Sequence, residues 1–304
     1  MFKRLALAGL LAVVVVVAVW ASLVVNYEDD LGTDNTVQVT LGENLTGGSS
    51  DGLATLSFEA GAEPLLWSSL TIEVDVDGTT HACGFGAQSA DANASAKVQP
   101  RLGADGLTFT TVVDATDEAS FTHFSLPHQK VGNESNHTMR FSKTDVFLGS
   151  DVSWAFIEDA SFEDIADLGD TGLSNDTTER LEWYDYDLAV HRVNPKTGVY
   201  VLAVHDMAYK VQFVSYYNDD DQSRHPTMRI AALNSSSFPA LSDPALVSPS
   251  PCLILAGDED SVYWNATENI ELIEHDIDFA SAGSSVSVTV AYEGRSVRIV
   301  ENQG

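Results

Sequence analysis

The alternation of apolar and polar side chains gives the first outline of this chain. From Leu70 to Val76 the order Leu-Thr-Ile-Glu-Val-Asp-Val switches at every residue. A period of two sends successive side chains to opposite faces of a strand. Asp77-Gly78 follows, a pair suited to a tight hairpin turn. Residues 109–113 predict another strand, entered from Asp105-Gly106. Near the C-terminus Val286, Val288, Val290 and Tyr292 alternate with polar residues, Glu293-Gly294 turns the chain, and Val297 and Ile299 continue on the return. Residues 37–41 predict a shorter strand, and residues 199–204 and 209–217 a hairpin around His205-Asp206-Met207. Such strands are half-buried and antiparallel, with one wet face. One short helix is expected over 161–168: Ser161 caps it, Asp164 completes a capping box, Phe162, Ile165 and Leu168 share a face, and Gly169 stops it.

The opening of the chain follows another rule. Lys3 and Arg4 precede residues 5–25, a run of 21 without a charge, 13 of them Leu or Val. As a helix rising about 1.5 Å per residue, such a run crosses a hydrocarbon core of about 30 Å. The basic pair before it, and Glu28, Asp29 and Asp30 after it, place the N-terminus in the cytoplasm and the rest outside. The competing reading is a cleaved signal peptide, with Val19-Trp20-Ala21 at the cleavage site and an unusually long apolar region. Both readings export the chain. Beyond the anchor, residues 26–51 read as a polar, Gly-rich tether. Residues 234–251, with six Ser and four of the nine Pro, read as a linker.

Charge then narrows the partners. Forty-five acidic residues against 15 basic give a net charge of −30. That excess repels nucleic acid and anionic membrane surfaces, and it suits solubility in salty surroundings. Cys83 and Cys252 are the two cysteines, and outside a cell such a pair reads as one disulfide. Asn44, Asn93, Asn133, Asn136, Asn175, Asn234 and Asn265 each sit in Asn-x-Ser/Thr and are candidate glycosylation sites.

Motifs of catalysis are missing: no His-Glu-x-x-His, no Cys-x-x-Cys, no Gly-x-Ser-x-Gly and no phosphate-cradling Gly-x-x-x-x-Gly-Lys. A non-enzymatic protein is therefore expected. His123, His128 and His137 would meet a metal only if neighbouring strands brought them together; dispersed surface positions are the plainer reading. Asn218-Asp219-Asp220-Asp221 and Asp258-Glu259-Asp260 offer hard oxygens for Ca²⁺ but lack an EF-hand pattern. Trp183, Tyr184, Tyr186, Tyr216 and Tyr217 are either a sandwich core or a surface for a flat ligand or glycan.

Two stretches carry family resemblances. The run Ala54 to Leu70, with Pro64-Leu65-Leu66-Trp67-Ser68-Ser69-Leu70 entering the next strand, together with Trp264 to Glu274 and the 286–299 hairpin, resembles the β-domain of archaeal type IV pilins and archaellin-like proteins. Pilin processing needs a charged residue and Gly before the apolar helix, whereas Arg4 here precedes Leu5. Between these ends, Asn136 to Gly149, then Trp183-Tyr184-Asp185-Tyr186-Asp187, residues 199–202 and residues 209–217 resemble the HmuY-like family of β-rich secreted or lipid-anchored proteins. His137 stands where that motif usually has Trp, and Met207 where its closing hairpin has a turn Gly.

The resemblances imply a mainly β fold: an antiparallel β-sandwich split by an inserted β-rich HmuY-like domain, with one N-terminal transmembrane helix. The expected order is an anchor or signal peptide at 1–30, the first pilin-like part at 31–117, the insert at 118–233, the linker at 234–251 and the second pilin-like part at 252–304. Cys83 and Cys252 would tie the two halves of the outer domain. The expected function is an extracellularly displayed binding protein, anchored through residues 5–25, that meets a small ligand or protein partner; the alternative is a structural pilin-like subunit or adhesin. Haem enters by family resemblance only. The position of the family's axial His is Ser142, before Lys143, which leaves His137 and His205 as substitutes. Because Ser is a poor iron ligand, the insert is expected to keep its fold and to have lost bis-His haem binding.

Overall fold

The structure is a computed structural model, and it describes residues 13–20, 36–41, 54–59, 66–90, 96–218, 220–233, 238–257, 267–274, 286–292 and 295–301. The described chain is mainly β, in several antiparallel sheets. It divides into two compact units.

The first unit takes residues 1–65 and 255–273. Its sheet runs in the order Thr36–Leu41, Ala54–Glu59, Thr267–Glu274, Cys252–Gly257. The polar 26–51 segment therefore carries the short strand expected of it, paired from Thr36↔Glu59 to Leu41↔Ala54. Residues 13–20 are helical and exposed. The rest of the expected 5–25 anchor lies outside the described residues, and among those described no helix is long and apolar enough to cross a membrane.

The second unit takes residues 66–254 and 274–304. Here the two ends of the chain share a sheet: Leu70–Val76 pairs with Val286–Tyr292 from Leu70↔Tyr292 to Val76↔Val286. Arg295–Glu301 and Thr79–Cys83 complete it. Alternation along Leu70–Val76 is kept without a fault, with Leu70, Ile72, Val74 and Val76 buried. Asp77 and Gly78 take φ of 52° and 84°, as their turn requires. Cys83 and Cys252 form a disulfide across 169 positions, with Cα atoms 5.4 Å apart. Closing so long a loop contributes at most about 5 kcal/mol in the chain-entropy model.

The same unit holds a sandwich. Its larger sheet runs Val152–Glu158, Gly198–Val204, Met207–Tyr217, Ser223–Ala232, Phe109–Val113, Val98–Leu102. The smaller runs Asp145–Leu148, Met139–Ser142, Thr122–Ser125, Lys130–Val131. Between them Phe109, Tyr200, Leu202, Tyr209, Val211 and Met228 pack against Phe124, Leu126, Met139, Phe141 and Val146 in one core.

Three expectations change. Phe109–Val113, placed before the 117/118 boundary, pairs with Ser223–Ala232 inside the sandwich, so that boundary does not divide the sheets. Segment 234–251 is no linker where it is described: Phe238 and Ala240 are buried, Phe238 meets Phe109 and Tyr209 edge to face, and Val247–Pro249 pairs with Ala87–Ser89. Its prolines fit a 3-10 turn at Pro239–Ser242 and an edge strand, both of which do without an amide donor. The 136–149 segment holds two strands that meet in a turn at Lys143 with φ of 56°.

The expected helix at 161–168 is a single turn, closed by the Asp164 amide on the Ser161 carbonyl. Tertiary contacts override its helical spacing. On the second face of the larger sheet, Lys210 and Arg229 are 9% and 8% exposed, so two cations need partners. Segment 161–163 supplies them. The Lys210 ammonium donates to the Phe162 carbonyl at 2.7 Å, and Arg229 Nη2 donates to Glu163 at 2.6 Å and to Ser68 Oγ. Both cations also lie 4.3 Å from the Phe162 ring centroid. Burial works to raise the Glu163 carboxyl, but hydrogen bonds from Ser68 and Arg229 outweigh it and hold the group below its ordinary value.

Glu163→Gln should therefore cost about 1–3 kcal/mol, read as a lower denaturant midpoint at unchanged slope. Because the folded carboxyl titrates below its unfolded value, its stabilisation is complete above the unfolded value and fades as pH falls through the folded one. The deficit of the variant should shrink over that same acid range.

Candidate functional site

A cavity of about 490 Å³ opens at one end of the sandwich. Its apolar floor comes from strand ends: Val152 begins one strand of the larger sheet, while Val204 and Met207 flank the turn between Gly198–Val204 and Met207–Tyr217. Pro127 adds to it from the 3-10 turn Leu126–His128. Polar groups form the rim, namely His128, Lys130, Glu134, His137, Asp151 and His205. Apolar walls with a few converging polar groups are the usual build of a small-molecule site, and the volume falls in the common range of about 300–1,000 Å³.

Each imidazole is placed by local backbone chemistry. His137 leaves a loop that Asn133 and Asn136 tie together: the Asn133 amide donates to Asn136 Oδ1 at 2.7 Å, and Asn133 Oδ1 accepts from Ser135. His137 Nδ1 lies 3.1 Å from the Asn133 carbonyl. A carbonyl only accepts, so Nδ1 is the donor in this contact, and Nε2 is the ring nitrogen left for a ligand. Gly149 holds this wall close, because a Cβ there would stand 2.4 Å from the His137 carbonyl oxygen. His128 ends the 3-10 turn, with Nδ1 3.4 Å from Ser125 Oγ. His205 sits at the tip of the two-residue turn between paired Val204 and Met207 with φ of 56°, a left-handed backbone that a residue of its size adopts at some cost. The turn is thus His205-Asp206, and Met207 already belongs to the strand. The thioether of Met207 accepts from Tyr209 Oη at 3.1 Å.

Three of the histidines singled out in the sequence meet here: His128, His137 and His205 share this cavity, and the sequon residue Asn136 lines it as well. His123 stands behind His137, the two rings edge to face at 4.7 Å. Burial first, and then the neighbouring His137, push the His123 imidazolium below its ordinary value, while Glu134 opposes the shift. Among the described residues no group of three or more His, Cys, Asp or Glu is arranged to hold a metal ion. Lys130, Glu134 and Asp151 escaped the sequence reading, because isolated residues in turns and strand ends carry no motif, and Met207 drew notice only as the residue in place of a turn Gly.

The aromatic candidates go elsewhere. Trp183 is fully buried, stacked on Phe213 at 4.6 Å with Nε1 donating to the Thr144 carbonyl, and Tyr216 is buried beside it. Tyr184 reaches Thr144 Oγ1. Tyr217 lies under Arg192, which Asp221 holds. Tyr186 is exposed, its hydroxyl 3.1 Å from His191 Nδ1. These five therefore form core and hairpin contacts and not one ligand face. Ser142 Oγ donates to the Asp117 carbonyl at 3.3 Å and does not line the cavity, so the position the resemblance assigns to an axial ligand does not fit haem. Asn133, Asn136 and Asn175 are exposed, while Asn44, Asn93, Asn234 and Asn265, like Asp258-Glu259-Asp260, lie outside the described residues. In the other acidic loop Asn218 Oδ1 accepts from the amides of Asp220 and Gln222, and Asp221 pairs with Arg192.

No family model matches the chain, and no curated protein matches it. Among solved structures, a candidate HmuY-like heme-binding protein from Bacteroides vulgatus aligns at 13% identity and a TM-score of 0.34, covering 48% of this chain and 97% of its own. A candidate lipoprotein from Bacteroides fragilis aligns at 14% and 0.32, covering 48% and 94%. Apo PinO from Porphyromonas gingivitis aligns at 10% and 0.28, covering 67% and 100%. These comparisons give no support to the pilin-like resemblance of residues 54–70 and 264–299.

The His123–His137 contact makes a direct prediction. Followed by NMR of the ring protons against pH, His123 should titrate below an ordinary histidine, and in His137→Ala its value should rise. An unmoved value would mean that the two rings do not interact.

Proposed function

We propose that this chain is a non-enzymatic binding protein, displayed outside a cell on its N-terminal apolar segment, that holds a small molecule in the cavity at the end of the sandwich. The observation that carries this reading is the convergence of His128, His137 and His205 above the floor of Val152, Val204 and Met207. The floor removes apolar surface from water, at about 25 cal/mol per Å². The rim offers nitrogen donors and acceptors that fix orientation. A flat hydrophobic body with a few polar atoms matches both.

A second reading, haem capture, is favoured by one specific feature: His137 and His205 line the same cavity, although Ser142 lies off it. The leading reading is a ligand held without iron coordination.

Pyrenebutanol, a flat neutral fluorophore, tests the cavity itself. Titrated into the full-length protein, it should bind saturably at one site, and Ser150→Trp, which places an indole at the exposed cavity edge, should weaken binding at least tenfold. Equal binding by both proteins would remove the cavity from the account. Haem titrated in parallel should give no sharp Soret band that depends on His137 or His205; such a band, lost in His137→Ala or His205→Ala, would establish the second reading instead.

A further inference from the structure

The solvent-facing side of the smaller sheet carries a row of side chains that the cavity does not use. Across its strands Phe147, Arg140 and His123 stand directly opposite one another, Arg140 being in register with both. Met139 and Phe141, on either side of Arg140, are buried in the core, so the period of two turns Arg140 outward. Its guanidinium lies 4.8 Å from the Phe121 ring centroid and 5.0 Å from that of Phe147. The cation sits in the corner of two phenyl rings that themselves meet edge to face at 5.9 Å.

What it lacks is an anion. Six arginines have described side chains, and Arg101, Arg180, Arg192, Arg224 and Arg229 each pair with a carboxylate. Arg140 has no such pair among the described residues, in a chain with 45 acidic residues, and its Nε is buried without a hydrogen-bond acceptor. The rings stabilise the charge through their faces but leave the in-plane N–H groups unused. A planar fork fixed in place and short of acceptors is suited to an oxyanion, which it can bind through two parallel bonds.

The row also leads to the cavity. His123 touches the His137 ring at 4.7 Å, and His137 lines the cavity. Arg140 is in register with His123, so the row runs from the Arg140 fork through His123 to the His137 ring. We propose that Arg140 is the anion subsite of the cavity ligand: the ligand is a flat amphiphilic anion whose uncharged body fills the cavity and whose carboxylate or sulfonate reaches along the sheet past His123 to the Arg140 fork. His123 lies on the way as a second donor. This inference rests on the cavity reading of the preceding subsection. The overall charge of −30 opposes an approaching anion, but salt screens that field within about 8 Å at physiological strength, so a local contact at Arg140 decides.

Pyrenebutyrate and pyrenebutanol share a flat body and a four-carbon chain and differ only in the charged end. In fluorescence titrations of the full-length protein, pyrenebutyrate should bind at least tenfold more tightly than pyrenebutanol. Arg140→Gln should abolish that preference and leave the affinity for pyrenebutanol unchanged, with near-ultraviolet circular dichroism reporting an intact core. Equal affinities in the native protein, or a preference that survives Arg140→Gln, would overturn the anion subsite and leave the cavity standing. Failure of both probes would overturn the cavity and the subsite together. Should Arg140→Gln not fold, the native preference alone decides, and Arg140→Lys, which keeps the charge and loses the fork, should reduce it.

Discussion

The central strands of the six-stranded sheet, Gly198–Val204, Met207–Tyr217 and Ser223–Ala232, are buried on both faces over much of their length and require two covers, and the two covers differ in kind. One is the apolar face of the smaller sheet, through Phe124, Met139, Phe141 and Val146. The other must satisfy two cations, Lys210 and Arg229, and is the short segment carrying Phe162 and Glu163. A lone buried charge costs several kcal/mol, so this second cover fixes where that segment lies more firmly than helical propensity does. Both covers hold the Gly198–Val204 and Met207–Tyr217 hairpin, whose tip presents His205 and Met207 to the cavity.

The cavity follows from where the sandwich ends. Sheets stack about 10 Å apart, and the space between them is filled while both supply large side chains. Beyond Val152 and Val204 the larger sheet has only a turn, and the smaller sheet contributes the Leu126–His128 turn and the Asn133–His137 loop. Turns bring polar residues, so the opening has an apolar base and a polar rim without any separate device. The Arg140 row extends the same polar edge across the outer face of the smaller sheet.

Much of the strand pattern was legible in the sequence. Leu70–Val76, the turn at Asp77-Gly78, Phe109–Val113 and the Val286–Tyr292 strand follow from a period of two. The failures share a cause. Ser161 to Leu168 has helical spacing, but a helix would carry Glu163 and the Phe162 carbonyl away from the buried cations. Residues 238–251 look like a linker by composition, yet Phe238 is large enough to anchor that stretch to Phe109 and Tyr209. Composition counts residue types, whereas one buried aromatic determines whether a segment packs. At the site, three histidines were visible one by one, and their meeting depends on a turn, a 3-10 turn and a loop far apart in sequence. The aromatic residues drew attention by clustering in sequence, and Trp183 and Tyr216 cluster because they build the core.

The central claim, that His128, His137 and His205 face one ligand-holding cavity, is open to a single spectroscopic comparison. Long-range ¹H–¹⁵N spectra of the histidine rings would be recorded for the full-length protein with and without saturating pyrenebutanol. The account predicts that the signals of His128, His137 and His205 shift together, while those of His81, His191 and His225, which do not line the cavity, stay in place. Shifts scattered over all the rings, or confined to His81, His191 and His225, would contradict it.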